Sequence, residues 1–243
     1  FCLAAGLIPL YLLWRHTADT PRQHKSINKA ELAHIEAGQD VAAVQEVIPL
    51  RQRLAGFVGN YRFWLLVFWY LCLQCMYWGL ITWLPSYLKS ARGFSWNEMG
   101  WLASLPFVLS IIFKISCGFL TDKIGRSAPI LMAAMFLAGC CVYLGAVTEQ
   151  KYLSAVLLSL AVAFCPMGTP VAWTLLQGLI PGKSISTASG IMNGLANGLA
   201  SLAPAMIGFF ITTTGQYSGG LLCLVFTGAA ATIAAGVLAA QRY

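Results

Sequence analysis

Six stretches of this chain are apolar for about 19 to 27 residues each, and that feature leaves few folds open. They run approximately 63–88, 99–120, 129–147, 153–179, 187–213 and 219–240. About 20 helical residues span the roughly 30 Å hydrocarbon core of a bilayer. Inside that core every backbone polar group needs an internal partner, so unbroken apolar runs of this length read as membrane-spanning helices. Composition agrees: 58% of the chain is hydrophobic and 9% charged, against about 25% charged in a soluble domain. That balance excludes a disordered chain, a nucleic-acid-binding domain and almost any water-soluble enzyme.

The first 14 residues are also apolar but cover only about 21 Å. The chain lacks an initiator Met, and this segment is expected to be the end of a helix from a longer protein. A polar island follows at 15–62, with seven basic and five acidic residues. Within it, Asn28 and Glu31 have capping-box spacing, Gly38 is a candidate C-cap, and a short surface helix is expected at about 29–37. Residues 41–58 are mildly amphipathic and are expected along the membrane interface.

Net charge is +7, and its distribution carries more information than its size. With the island in the cytoplasm, alternation places 11 basic residues inside and three outside: Lys89, Arg92 and Lys151. The positive-inside rule then puts the C-terminus in the cytoplasm; a cell inner membrane is the expected location, with the bilayer as a partner. Lys114 lies within a span, where its stem can snorkel to the headgroups or present a gating charge.

Polar residues are unevenly shared among the spans. The third and sixth contain no Asn, Gln, His or charged residue, and are expected at the periphery facing lipid. The other four are expected around a cavity. Polar, polar, apolar repeated twice is the pattern of a 3+3 inverted repeat. Gln74, Tyr77 and Trp78 share one helix face; Thr169, Trp173 and Gln177 share another; Asn193, Asn197 and Ser201 a third. Amides one turn apart can hold the hydroxyls or carboxylate of a ligand, or can hydrogen-bond neighbouring helices. Trp173 suits either a ligand platform or an interfacial belt. Gly190, Gly194 and Gly198 are expected to supply close helix packing. Pro166 and Pro170 are expected to interrupt the fourth span.

The chain's eight cysteines all lie in apolar runs, and Cys72-x-x-Cys75 has no second pair. They are expected to be packing residues, with no metal, no cofactor and no disulfide. Clustered Asp, Glu and His of the kind an intramembrane enzyme needs are missing from the spans.

Gly118-Phe-Leu-Thr-Asp122-Lys123-Ile-Gly125-Arg126 fits G-x-L-x-D-(R/K)-x-G-R, and so resembles the cytoplasmic loop motif of the major facilitator superfamily. There Gly118 would admit a close helix, Asp122 would pair with a base or helix N-terminus, and Gly125 would permit the turn. Lys123 and Arg126 would hold the loop inside, the whole acting as a conformational latch. Asp19-x-Pro21-x-x-His24, Trp83-Leu-Pro85-Ser-Tyr87, Arg92-Gly93-Phe-Ser, Ser189-Gly190-x-x-Asn193 and Pro204-x-x-x-Gly208 resemble the anion:cation symporter family.

The resemblance implies the C-terminal six-helix bundle of a twelve-helix all-α membrane protein. Residues 1–14 would be a truncated sixth helix, 15–62 the central loop and 63–243 the bundle. It implies import of a small organic anion, a sugar acid or other carboxylate, by proton symport and alternating access. Exchange or export on the same fold, or an inert half when isolated, are the alternatives. Gln74, Tyr77, Trp173, Asn193 and Asn197 are the expected substrate-binding residues. No carboxylate falls inside a span, and the resemblance implies that the family's proton-binding carboxylates and substrate-binding arginine sit in a partner N-terminal half.

Overall fold

The computed structural model describes every residue except 1, 25, 38–48, 216, 242 and 243, and omits the side chains of 2, 4 and 218. The expected features at Gly38 and 41–48, and the charge of Arg242, lie outside the described residues. The chain forms two compact units, residues 1–48 and 49–243. In the first, α1 (Cys2–His16) ends in basic residues, and a 3-10 turn (Pro21–Gln23) precedes α2 (Lys29–Ala37). Asn28 Oδ1 accepts from Glu31 N at 2.7 Å, so the N-cap read from the sequence forms. Arg22 Nε donates to Glu36 Oε1 at 2.6 Å, and that bond holds the Glu36 carboxyl below its usual range.

The second unit opens with α3 (Leu50–Ala55) and continues as α4 (Tyr61–Ser90), α5 (Trp96–Ile124), α6 (Ala128–Val147), α7 (Lys151–Phe164), α8 (Thr169–Leu179), α9 (Gly182–Ala200), α10 (Ala203–Thr214) and α11 (Tyr217–Ala240). Among the described residues, six of its helices or helix pairs are long and apolar enough to cross a membrane. Ser95 and Glu98 start α5 with a complete capping box, Ser95 N donating to Glu98 Oε2 at 2.8 Å. Pro166 and Pro170 break the fourth span as expected, a 3-10 turn at Cys165–Gly168 separating α7 from α8. The fifth span is broken as well, at Ser201–Leu202. Pro204 sits in the first turn of α10, where its missing N–H is harmless.

Neighbour relations repeat between the two threes. The seam between α6 and α11 is its own counterpart; α4 meets α11 as α7 meets α6, and α4 meets α9 as α7 meets α5. Three crossings are an odd number, so the second three runs opposite to the first. Among the described residues the chain is thus all-α, with membrane-length helices in a 3+3 inverted arrangement.

Burial corrects the expectation about the glycines, while the third and sixth spans bury one side and keep the other exposed. The apolar spans α6 and α11 are 44% and 39% buried, whereas α5 is 17% and α9–α10 is 22% buried. Apolar helices can bury against each other without stranding a polar group, and these two do so where Gly139 and Gly228 cross. Their outer faces, with Phe136 and Phe226, remain exposed. The supposed packing stripe Gly190, Gly194, Gly198 meets nothing: a Cβ at any of them would find open space. The packed face of α9 is instead Ala188, Met192, Ala196 and Ala200, all fully buried. Glycines at helical spacing reveal a shared face, but the neighbour comes from the other helix.

The cations at the Arg92 end are all committed locally. Arg92 reaches the C-terminus of α6, donating to the oxygens of Gly145 and Ala146 at 3.3 and 3.2 Å, and Nε donates to Tyr87 Oη at 2.8 Å. This caps carbonyls that the helix leaves unpaired and offsets its dipole. Lys151 pairs with Glu98 at 3.2 Å, and Tyr152 Oη donates to the same carboxylate at 2.7 Å. Lys89 lies over the Trp96 ring at 3.9 Å.

Candidate functional site

Gln74 sits midway along α4, and Asn193 and Asn197 one turn apart on α9. The fold brings these two helices together, and the three amides join in a single chain. Gln74 Nε2 donates to Asn197 Oδ1. Asn197 Nδ2 donates to Asn193 Oδ1 at 2.8 Å and to the Asn193 main-chain oxygen at 3.0 Å. Tyr70 Oη donates to Asn193 Oδ1 at 3.5 Å. The Tyr70 ring meets Trp173 of α8 edge-on, centroids 5.8 Å apart.

Four of the five expected substrate residues therefore converge: Gln74, Asn197 and Asn193 directly, and Trp173 through Tyr70. Tyr77 stands one turn beyond Gln74 with its ring edge-on to Trp78 at 5.8 Å, and is not joined to the amides. Tyr70 was missed. Its position, one turn before Gln74 on the same face, was available in the sequence, but a tyrosine in an apolar run reads as core. Asn193 is exposed, and Gln74, Asn197 and Trp173 are partly buried. The expectation was a cavity; the structure shows an open polar face on α4 and α9, with the helices behind it closed by apolar contacts. Such a face is costly against lipid and suits a water-filled space or a ligand.

The loop motif divides. Gly125 ends α5 in the left-handed region, φ 66°, as the turn requires. Arg126 donates to the Ala239 oxygen in the last turn of α11. Gly118 departs from expectation: a Cβ there would meet nothing, because that face of α5 is exposed. Asp122 and Lys123 are exposed, and among the described residues no ion pair reaches Asp122. Gly125→Ala is expected to destabilise the unit by about 1–2 kcal/mol through the left-handed backbone. Gly118→Ala should leave thermal unfolding in detergent unchanged; equal shifts would contradict this division.

Six apolar crossings in a 3+3 inverted order, bearing one polar face among the spans, define a multi-pass membrane protein of the transporter type. The Major Facilitator Superfamily model matches residues 1–205, and the chain belongs to that family. It is 28% identical over 95% of its length to the Probable galactarate/D-glucarate transporter GudP of Bacillus subtilis (strain 168), covering 52% of that protein. It is 30% identical over 82% of its length to the Probable sulfoacetate transporter SauU of Cupriavidus necator, covering 47% of it. A Quinolone resistance transporter of Acinetobacter baumannii is 29% identical over 66% of the chain, covering 37% of that relative. The chain spans about half the length of the first two relatives.

Proposed function

We propose that this chain is one half of a secondary active transporter that imports a small organic anion, a sugar acid or other carboxylate, by alternating access. The observation that carries this reading is the amide chain Gln74–Asn197–Asn193, a polar face in the middle of apolar helices with Asn193 exposed and the other two partly buried. Relatives named as galactarate/D-glucarate and sulfoacetate transporters support an acid as the cargo. Asn193, Gln74, Tyr77 and Trp173 would contact it, and a second six-helix half would close over this face. Proton symport is the coupling mode we favour. Among the described residues the carboxylates nearest the spans are Glu98 and Asp122, in the first and last turns of α5. The proton-binding carboxylate is accordingly assigned to the other half. We place the Lys123/Arg126 end and the C-terminus on the cytoplasmic side of an inner membrane; the 11:3 division of basic residues supports that orientation.

Export on the same fold is the second reading, favoured by the relative named as a quinolone resistance transporter. The test is uptake of labelled sugar acids by cells expressing the full-length protein. Import with alkalinisation of the medium is expected, and Gln74→Ala and Asn193→Ala at equal abundance should each reduce it at least tenfold. Undiminished uptake in both variants would sink the site assignment, and uptake without alkalinisation would sink symport.

A further inference from the structure

One backbone atom fixes the orientation of all three amides. Asn197 Nδ2 donates to the main-chain oxygen of Asn193 at 3.0 Å. A carbonyl oxygen can only accept, so the Asn197 atom facing it must be the nitrogen. Asn197 Oδ1 is thereby turned to Gln74, which must answer with Nε2. The second Asn197 N–H requires Oδ1 of Asn193, at 2.8 Å, and the Tyr70 hydroxyl donates to that same oxygen at 3.5 Å. Flipping any one amide would set oxygen against oxygen or nitrogen against nitrogen.

The two ends of the chain are therefore chemically different. Asn197 uses both N–H groups and its oxygen internally. Among the described residues, Asn193 Nδ2 and Gln74 Oε1 carry no partner. The Asn193 end, near Tyr70 and Trp173, offers N–H donors; the Gln74 end offers an acceptor. A carboxylate only accepts, whereas a hydroxyl can donate.

We infer that this relay reads the direction of its ligand: a hydroxy acid lies with a carboxylate oxygen on Asn193 Nδ2 and a hydroxyl donating to Gln74 Oε1, while Asn197 is a positioning residue that touches no ligand. The inference rests on the transport reading above and adds orientation to it. It also reassigns Asn197, expected from the sequence to bind substrate. Because the anchor lies between Asn197 and the Asn193 backbone, removing either end side chain leaves the other end's polarity intact.

The experiment is competition uptake by the full-length protein with three kinds of ligand: a six-carbon sugar acid, its singly deoxygenated analogues, and the corresponding uncharged hexitol. Ratios are compared within each variant, so the amount of folded protein cancels. In the unaltered protein the acid should outcompete the hexitol, and one deoxy analogue should be about tenfold weaker than the acid. Gln74→Ala should abolish the deoxy penalty and keep the acid-over-hexitol ratio. Asn193→Ala should lower that ratio about tenfold and keep the deoxy penalty. Asn197→Ala should erode both discriminations, whereas a merely structural role would weaken all ligands equally. A swapped pattern, equal effects of Gln74→Ala and Asn193→Ala on both ratios, or uniform weakening by Asn197→Ala would overturn the inference. An unaltered protein that distinguishes none of the ligands would overturn the transport reading itself, and this inference with it.

Discussion

Trp69→Ala is expected to destabilise the membrane bundle by about 3 kcal/mol or more, the low end of the range for deleting a buried Trp. The side chain is fully buried, and its Nε1 donates to the Leu131 oxygen of α6 at 3.3 Å. Its ring also closes against the break in the fourth span: a Cβ on Gly168 would lie 2.9 Å from Cη2 of Trp69. One indole therefore ties α4 to α6 and to the 3-10 turn between α7 and α8. In a bilayer water exclusion contributes little to helix association, so the loss is mainly of van der Waals contact. The same contact makes Gly168→Ala an overpacking change of about 1–3 kcal/mol. Trp69→Phe removes the two nearest atoms that a new methyl would strike and leaves Leu131 Cδ2 at 3.2 Å, so Gly168→Ala should cost clearly less in that background. Thermal unfolding of the four proteins in detergent measures the coupling. Additive effects would mean that the ring and the glycine do not share this contact.

The helices were legible because length and hydropathy suffice to locate a membrane span, and the broken fourth span followed from Pro166 and Pro170. The break at Ser201–Leu202 was not, although Pro204 marks its far side; a long apolar run hid it. The amides were recognised as two separate stripes, on α4 and α9. Their union is a tertiary contact between residues 123 positions apart, and hydropathy patterning within one helix says nothing about it. Tyr70 was passed over because an aromatic in an apolar run has the same pattern whether it packs or points at a polar neighbour. The glycines failed differently. Spacing identifies a common face, yet the close contacts fall at other glycines, Gly79, Gly168, Gly220 and Gly228 among them, and the regular series Gly190, Gly194, Gly198 faces open space. The 11:3 division of basic residues is a reading of orientation from the sequence alone. The structure adds that the three cations on the sparse side, Lys89, Arg92 and Lys151, are held by local partners.

Asn193 carries the largest expected effect on ligand affinity. Its Nδ2 is an exposed donor held in one orientation by Asn197 and Tyr70, so binding has little reorganisation to overcome. Hydrogen bonds to a charged group contribute about 1.5–3 kcal/mol, which is about 10- to 150-fold in Kd. Truncation should leave the fold intact, because the side chain is exposed and Ala favours the helix. The most direct measurement is equilibrium binding of a labelled sugar acid to the purified full-length protein and to its Asn193→Ala variant. A Kd raised at least tenfold with unchanged thermal stability is the expected result; a Kd unchanged within twofold would contradict the claim that this polar face holds the substrate.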